Sequence, residues 1–187
     1  MTATLQPAPA SPAPTALPPV IYVLTAGTFL MGTTEFVVAG LLTSVSADFT
    51  VSVAQAGLAI TVFAIGMIVG APSMALATLR LPRRVTLTAA LVVFAAGHAI
   101  GALTESFGVL LGTRFVTAVA TGAFWAVASV AAVDAAGPRI RTRALGIVLG
   151  GGMLANVLGV PLGAFIGQLI GWRGTFWGLA MLGVLFF

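Results

Sequence analysis

The sequence predicts an all-α integral membrane protein built as a bundle of six membrane-spanning helices. Of its 187 residues, 59% are hydrophobic and 6% are charged, and the mean hydropathy is +1.15. A soluble domain carries about 25% charged residues, so this chain has too few charges to cover its own surface in water. The apolar residues also fall in runs of about 20, the length of a helix that crosses a bilayer.

The apolar runs place the spans along the chain. Residues 1–19 hold six of the ten prolines and no charge, which predicts a disordered tail. The transmembrane domain then covers 20–187, with spans at about 20–42, 54–78, 86–103, 108–133, 144–170 and 175–187. The last run has 13 residues, whereas a crossing needs about 20, so we expect a truncated sixth helix.

The basic residues predict how the spans are oriented. All eight are arginines, and six lie in the links after spans two and four. Short Arg-rich links stay in the cytoplasm, which also places the N-terminus there. The net charge of +4 therefore indicates topology and does not predict nucleic-acid binding.

Few side chains could perform covalent chemistry. Cysteine is absent, and the chain has one histidine and four carboxylates. This inventory leaves little for a metal cage or a hydrolytic triad, and the links between spans are too short for a catalytic domain. We therefore expect neither an enzyme nor a bound cofactor or metal.

Glu35 is the ionisable residue of the first span. A carboxylate in hydrocarbon costs several kcal/mol unless it is protonated, paired or hydrated. We interpret Glu35 as a proton-coupling acid that faces a central cavity. The alternative is a carboxylate near the helix end that reaches the outer headgroups.

Arg114 lies six residues into the fourth span, at about the depth of Glu35. A charge pair between neighbouring helices would lower the cost of burying each group. The alternatives are a static structural pair or an arginine that snorkels outward. Helical spacing places Thr121 and Trp125 on the face of Arg114, and Met31 on the side of Glu35. These three residues are candidates for a cavity lining, or they are ordinary packing residues.

His98 is predicted at a similar depth in the third span. Buried histidines relay protons in some pumps. The simpler interpretation is a histidine whose ring bonds to a backbone carbonyl.

Small residues mark the fifth span. Gly159, Gly163 and Gly167 recur every four residues and predict a smooth strip that another helix approaches closely. Pro161 removes one helical hydrogen bond and should bend the helix. Asn156 is expected on the same face, where it could bind a neighbour or a ligand.

An internal repeat at an offset of 89 residues links the second span to the fifth. An odd number of spans separates the copies, so they would have inverted topology, as in many transporters. The matched residues are Gly57, Gly70 and Pro72 with Gly146, Gly159 and Pro161.

Several motifs resemble the major facilitator superfamily. The stretch 31–36, Met-Gly-Thr-Thr-Glu-Phe, is similar to the first helix of its drug:proton antiporters, especially the bacterial chloramphenicol-resistance exporters. The stretch 159–163, Gly-Val-Pro-Leu-Gly, looks like the antiporter motif of the fifth helix, and 171–173 also resembles this group. Arg114 matches the buried arginine of the fourth helix.

The resemblance implies a fold and a function. Such proteins are secondary transporters in the bacterial cytoplasmic membrane that exchange protons for small lipophilic drugs such as chloramphenicol. Glu35 corresponds to their proton-coupling acid. Because substrate binds between two six-helix halves, this chain would be the N-terminal half, and its partners would be substrate, protons, the bilayer and a missing C-terminal half. The alternatives are an exporter of a sugar, nucleoside or other metabolite on the same scaffold, or a membrane fragment that transports nothing.

Two motifs depart from the family pattern. In the loop between helices two and three, Ala75 and Leu79 stand where the family has Gly and Asp. The basic remnant of this loop motif comprises Arg80, Arg83 and Arg84. In the fourth helix, Ala118 occupies the usual place of a glycine.

Overall fold

The computed structural model describes residues 16–77 and 80–186, and its regular elements are helical throughout those ranges. Most of the predicted disordered tail, Leu79 of the loop motif and Phe187 lie outside the described residues. The elements in chain order are α1 (Pro19–Val37), a 3-10 turn (Val38–Leu41), α2 (Leu42–Asp48), α3 (Val53–Ala56), α4 (Leu58–Ala77), α5 (Arg83–Leu103), α6 (Phe107–Ala136), α7 (Arg141–Leu154), a π-helical turn (Ala155–Gly159) and α8 (Val160–Leu185).

Five helical segments of the described ranges are long and apolar enough to cross a membrane. The fifth, Arg141–Leu185, has 45 residues and would be about 68 Å long if straight, roughly twice the bilayer core. It reverses at Gly171, which has φ 80° and ψ 160°, a conformation that glycine adopts without strain. After the reversal, the Thr175 hydroxyl donates to the Gly163 carbonyl at 2.9 Å. This segment therefore contains both the fifth and the sixth predicted spans.

The helical segments of the first, third and fourth spans are longer than the apolar runs that predicted them. After the 3-10 turn, helical structure continues to Asp48, so the predicted link at 43–53 is mostly helical. The helix of the third span, α5, begins at Arg83, directly after Pro82. The chain stays helical beyond its apolar run because a helix satisfies its backbone hydrogen bonds in water as well as in lipid, whereas hydropathy reports only the hydrocarbon part.

Ionic contacts join the links at each end of the bundle. At one end, Arg83 of α5 pairs with Asp134 of α6 at 2.5 Å. At the other end, Arg173 forms an ion pair with Asp48 and donates to the Thr104 carbonyl at 2.9 Å. The predicted alternation of the links is therefore present, with the links after the second and fourth spans at one end and the other three at the opposite end.

Helix contacts follow the symmetry of an inverted repeat. The second span, α4, packs along α6 of the fourth, and the first span, α1, packs along α7, the π turn and α8 of the fifth. If spans one, two and three are exchanged for spans four, five and six, the contact of span two with span four becomes the contact of span five with span one. One matched glycine pair follows the same exchange, because Gly70 abuts Val119 of α6 and Gly159 abuts Thr33 of α1.

The glycine strip of the fifth span packs on α1, as expected from its spacing. A Cβ at Gly159 would overlap Thr33, one at Gly163 would overlap Val37, and one at Gly167 would overlap Leu41. Glycine therefore brings the two helices closer than any larger residue would allow.

Gly70→Ala is expected to destabilise the bundle. Its Cβ would stand 2.6 Å from the backbone Cα of Val119, and overpacking typically costs about 1–3 kcal/mol. Gly112→Ala is the matched control, since nothing lies within 4 Å of a Cβ there and alanine favours a helix by about 1 kcal/mol. Thermal unfolding in detergent measures both variants. Equal melting temperatures would show that this contact is not tight.

Candidate functional site

Arg114 is held deep inside the bundle by neutral groups. Its side chain is 1% exposed. Nη1 donates to the Thr34 hydroxyl and Nη2 to the Thr34 carbonyl, each at 2.9 Å, while Nε points to the Ala59 carbonyl at 3.5 Å. The guanidinium carbon also lies 4.1 Å from the centre of the Phe63 ring, a favourable cation–π position. Arg114 of α6 therefore ties α1 to α4.

The backbone of α1 leaves a carbonyl free for this arginine. In an α-helix, the Thr34 carbonyl would accept from the N–H of residue 38. Here α1 gives way to the 3-10 turn at Val38, whose N–H is directed to the Phe36 carbonyl. The Arg114 guanidinium takes the place of the missing helical donor.

Thr34 also connects Arg114 to His98 of α5. The Thr34 hydroxyl oxygen lies 2.6 Å from His98 Nε2, and His98 Nδ1 lies 2.8 Å from the Phe94 carbonyl. The His98 ring is 1% exposed and lies between the Phe94 and Phe176 rings, whose centres are 4.2 and 5.3 Å away. The expected bond from His98 to a backbone carbonyl is confirmed, and a second bond to Thr34 accompanies it.

Glu35 lies at the edge of this network. It is half-buried, next to the exposed positions Phe36, Ala39 and Gly40. The carboxylate is close enough to Arg114 for an electrostatic interaction. No direct ion pair joins Glu35 and Arg114, both of which lie in the described ranges. The interaction anticipated from their similar depth is therefore electrostatic without direct contact, and the hydrogen bonds of the guanidinium go to Thr34 and Ala59.

The other predicted cavity residues pack between α1, α6 and the fifth span. The Thr121 hydroxyl contacts Met31 Sδ at 3.5 Å, and both side chains are fully buried. The Trp125 ring lies against Gly152, where a Cβ would overlap it. The Trp125 indole Nε1 is buried without a hydrogen-bond partner in the part of the chain that the structure describes. That indole N–H is an available donor inside the bundle.

The fifth span contains a π-helical turn just before Pro161. The turn ends at Gly159, two residues before Pro161, and it accommodates the missing N–H and the bulk of the proline ring. Residues 156 and 163 would share a face of a regular helix. The extra residue of the π turn breaks that register, and Asn156 is exposed while Gly163 is buried against α1. The expectation that Asn156 lies on the glycine face was therefore wrong.

The loop-motif arginines occupy the end of the bundle away from Gly171. Arg80 and Arg84 are exposed, and Arg83 pairs with Asp134. The side chains of this pair are 47% and 54% exposed, so the pair contributes at most about 1 kcal/mol.

Sequence reasoning did not single out the residues that hold Arg114. Thr34 is one of four threonines in α1, and nothing in its spacing marks it as the residue that touches both Arg114 and His98. Phe63 and the Ala59 carbonyl carry no sequence signal either. Their roles depend on how α1, α4 and α6 meet.

This chain is similar in sequence and in structure to known proteins. The profile of the Major Facilitator Superfamily matches residues 24–187. A chloramphenicol resistance protein of Streptomyces lividans is 42% identical over 165 residues, which cover 88% of this chain and 42% of that protein. An uncharacterized MFS-type transporter of Bacillus subtilis (strain 168), YtbD, is 35% identical over 169 residues, which cover 90% of this chain and 43% of that protein.

A solved structure has the same fold. The proton:xylose symporter XylE, bound to 6-bromo-6-deoxy-D-glucose, superimposes with a TM-score of 0.78 at 19% identity, over 89% of this chain and 42% of that chain. The chain thus spans less than half the length of the relatives that it matches. Its apolar helices, its inverted contacts and the profile match over most of its length agree that this multi-pass membrane protein belongs to the Major Facilitator Superfamily.

Proposed function

We propose that this chain forms the N-terminal half of a proton-coupled exporter of small lipophilic drugs such as chloramphenicol. The observation that carries the proposal is the half-buried Glu35 carboxylate within electrostatic reach of the fully buried Arg114 guanidinium. The 42% identity to a chloramphenicol resistance protein supports this substrate class.

Arg114 has donors to spare for such a cycle. A guanidinium carries five N–H groups, and the described contacts use three of them. The remaining two can bind an ionised Glu35 or an acceptor atom of the substrate. When a proton neutralises Glu35, its attraction to Arg114 ends, and the arginine is available to the drug. Ionised Glu35 and the substrate would thus compete for the donors of Arg114, which links substrate binding to the protonation state of Glu35.

The bundle would face its partner half through α4 and the fifth span. Both present large exposed apolar side chains, among them Ile68, Leu76, Val157 and Phe165. We place the end that carries Arg83 and Asp134 in the cytoplasm of a bacterium, following the Arg-rich links. The substrate would then bind between this half and a C-terminal six-helix half, with Glu35 beside the cavity.

A flux measurement tests the proposal. A two-half transporter that carries this chain is reconstituted in liposomes, and uptake of radiolabelled chloramphenicol is followed with and without an imposed pH gradient. We expect uptake only when the gradient is present, and we expect it to stop when an ionophore dissipates the gradient. Gradient-driven movement of sugars or nucleosides that excludes chloramphenicol would contradict the substrate class.

Trp125→Phe is expected to weaken substrate binding without unfolding the protein. The indole N–H has no partner among the described residues, so its removal breaks no protein hydrogen bond. If the drug accepts this hydrogen bond, its KM should rise by about three- to tenfold, the equivalent of roughly 1 kcal/mol. Flux kinetics and the melting temperature of the same preparation measure the two effects. An unchanged KM would show that Trp125 only packs on Gly152.

A further inference from the structure

We propose that His98 and Thr34 are positioning residues that hold Arg114 in the orientation needed for transport. This inference rests on the proposed function but concerns residues to which that function assigned no part. It predicts one tautomer for His98, the only histidine. It also predicts which atom donates in each hydrogen bond of the series that runs from Arg114 through Thr34 and His98 to the Phe94 carbonyl.

The direction of each bond follows from what each atom can donate. A backbone carbonyl only accepts, so the contact of 2.8 Å between His98 Nδ1 and the Phe94 carbonyl requires the proton on Nδ1. In a neutral ring, Nε2 is then an acceptor. The Thr34 hydroxyl, 2.6 Å from Nε2, must donate its proton to the ring.

That donation fixes the remaining lone pairs of Thr34. Arg114 only donates, so its Nη1 at 2.9 Å needs an acceptor lone pair of the same hydroxyl oxygen. With its proton committed to His98, the hydroxyl presents those lone pairs to the guanidinium. A doubly protonated His98 would place a second cation beside Arg114 in a buried site, and both groups would then donate to the same oxygen.

Other threonines of α1 show what Thr34 would do without His98. The hydroxyls of Thr25 and Thr33 donate to carbonyls four residues earlier in their own helix, Ile21 and Phe29, at 2.7 and 2.9 Å. This local bond is the default for threonine in a helix. The His98 acceptor draws the Thr34 hydroxyl away from that alternative and toward α5 and α6.

Packing makes the acceptor rigid. The His98 ring is fully buried between Phe94 and Phe176, and its Nδ1 is bonded within its own helix. The guanidinium is therefore located by a fixed ring on α5, through Thr34, and this in turn sets its distance from Glu35.

Nitrogen NMR tests the geometry directly. Because the chain has one histidine, labelling histidine with nitrogen-15 in lipid nanodiscs gives an unambiguous spectrum. We expect a neutral ring protonated at Nδ1, with Nε2 in a strong hydrogen bond. Thr34→Val should shift the Nε2 resonance to that of a free imine nitrogen, and Thr34→Ser should leave it in place. A ring protonated at Nε2, or an Nε2 resonance that Thr34→Val does not move, would overturn the proposal.

Flux kinetics with two substitutions of His98 separate positioning from proton relay. Gln places an acceptor oxygen near the position of Nε2, whereas the shorter Asn reaches only the position of Nδ1. We expect His98→Gln to keep the substrate KM within about threefold, and His98→Asn and Thr34→Val to raise it about tenfold, the effect of one lost buried hydrogen bond. If His98→Gln loses proton-driven flux as completely as His98→Asn, the histidine relays protons and the positioning role is wrong.

The two measurements fail independently. If the unmodified transporter moves no chloramphenicol, the proposed function is wrong, while the nitrogen spectra still decide the tautomer and the bond to Thr34. If flux is present and the spectra show a different tautomer, the inference about His98 and Thr34 fails alone. Melting temperatures of the four variants show whether a loss of flux reflects a loss of folding.

Discussion

Glu35→Gln is expected to abolish proton-driven efflux while the protein still inserts and folds. Glutamine has nearly the shape of a protonated glutamic acid, so the variant is fixed in one half of the proposed cycle. Glu35 makes no direct ion pair with Arg114, both being among the described residues, so its neutralisation breaks no buried salt bridge. Its half-buried position also lets the amide reach water or headgroups.

Reconstituted liposomes measure this effect. Chloramphenicol flux driven by a pH gradient should fall at least a hundredfold, and exchange of substrate for substrate without a gradient should persist. The matched control is Glu105→Gln, which removes an exposed carboxylate from the link between α5 and α6 and should leave both activities unchanged. Gradient-driven flux that survives in Glu35→Gln would remove this residue from the coupling mechanism.

Hydrophobicity made most of the fold predictable. A run of about 20 apolar residues crosses a bilayer as a helix whatever its neighbours do, so the spans follow from composition. The Arg-rich links likewise predicted which links share an end of the bundle, and the ion pair of Arg83 with Asp134 joins two of them. The spacing of Gly159 and Gly163 predicted a close helix contact, although not that α1 would provide it.

The candidate site was predictable only in part, because it depends on angles between helices. Equal depth suggested that Glu35 and Arg114 would meet, yet the rotation of α1 places Thr34 in front of the guanidinium. At about 3.6 residues per turn, Asn156 would lie on the glycine face of the fifth span. The π turn changes the register, and Asn156 is exposed instead. One-residue changes in local winding do not alter composition or hydropathy. Pro161 indicated a disturbed helix but not that a π turn would absorb it.

Arg114→Lys is expected to reduce transport more than tenfold although it preserves the charge. The guanidinium is a planar fork that donates to the hydroxyl and the carbonyl of Thr34 at once, and its carbon lies 4.1 Å from the centre of the Phe63 ring, within cation–π range. A lysine ammonium is a compact charge with three donors and a stronger demand for hydration. In a site where arginine is 1% exposed, the hydroxyl and carbonyl of Thr34 and the carbonyl of Ala59 would use all three donors of a lysine and leave none for Glu35 or substrate.

Stability and transport should respond differently to a third residue at this position. Arg114→Met fills similar volume without a buried charge and leaves the Thr34 carbonyl without its donor, at a cost of about 1–3 kcal/mol. A buried lysine ammonium with too few partners costs more, so the melting temperature of Arg114→Met should match or exceed that of Arg114→Lys while its flux is lost. Arg139→Lys, at an exposed arginine, is the control and should transport normally. Full flux in Arg114→Lys would mean that the charge alone suffices, and the bidentate contact with Thr34 would then have no part in coupling. Arginine differs from lysine in its planar, two-pronged guanidinium. If lysine transported as well as arginine, that geometry would not matter, and His98 would have no need to orient the Thr34 hydroxyl toward it.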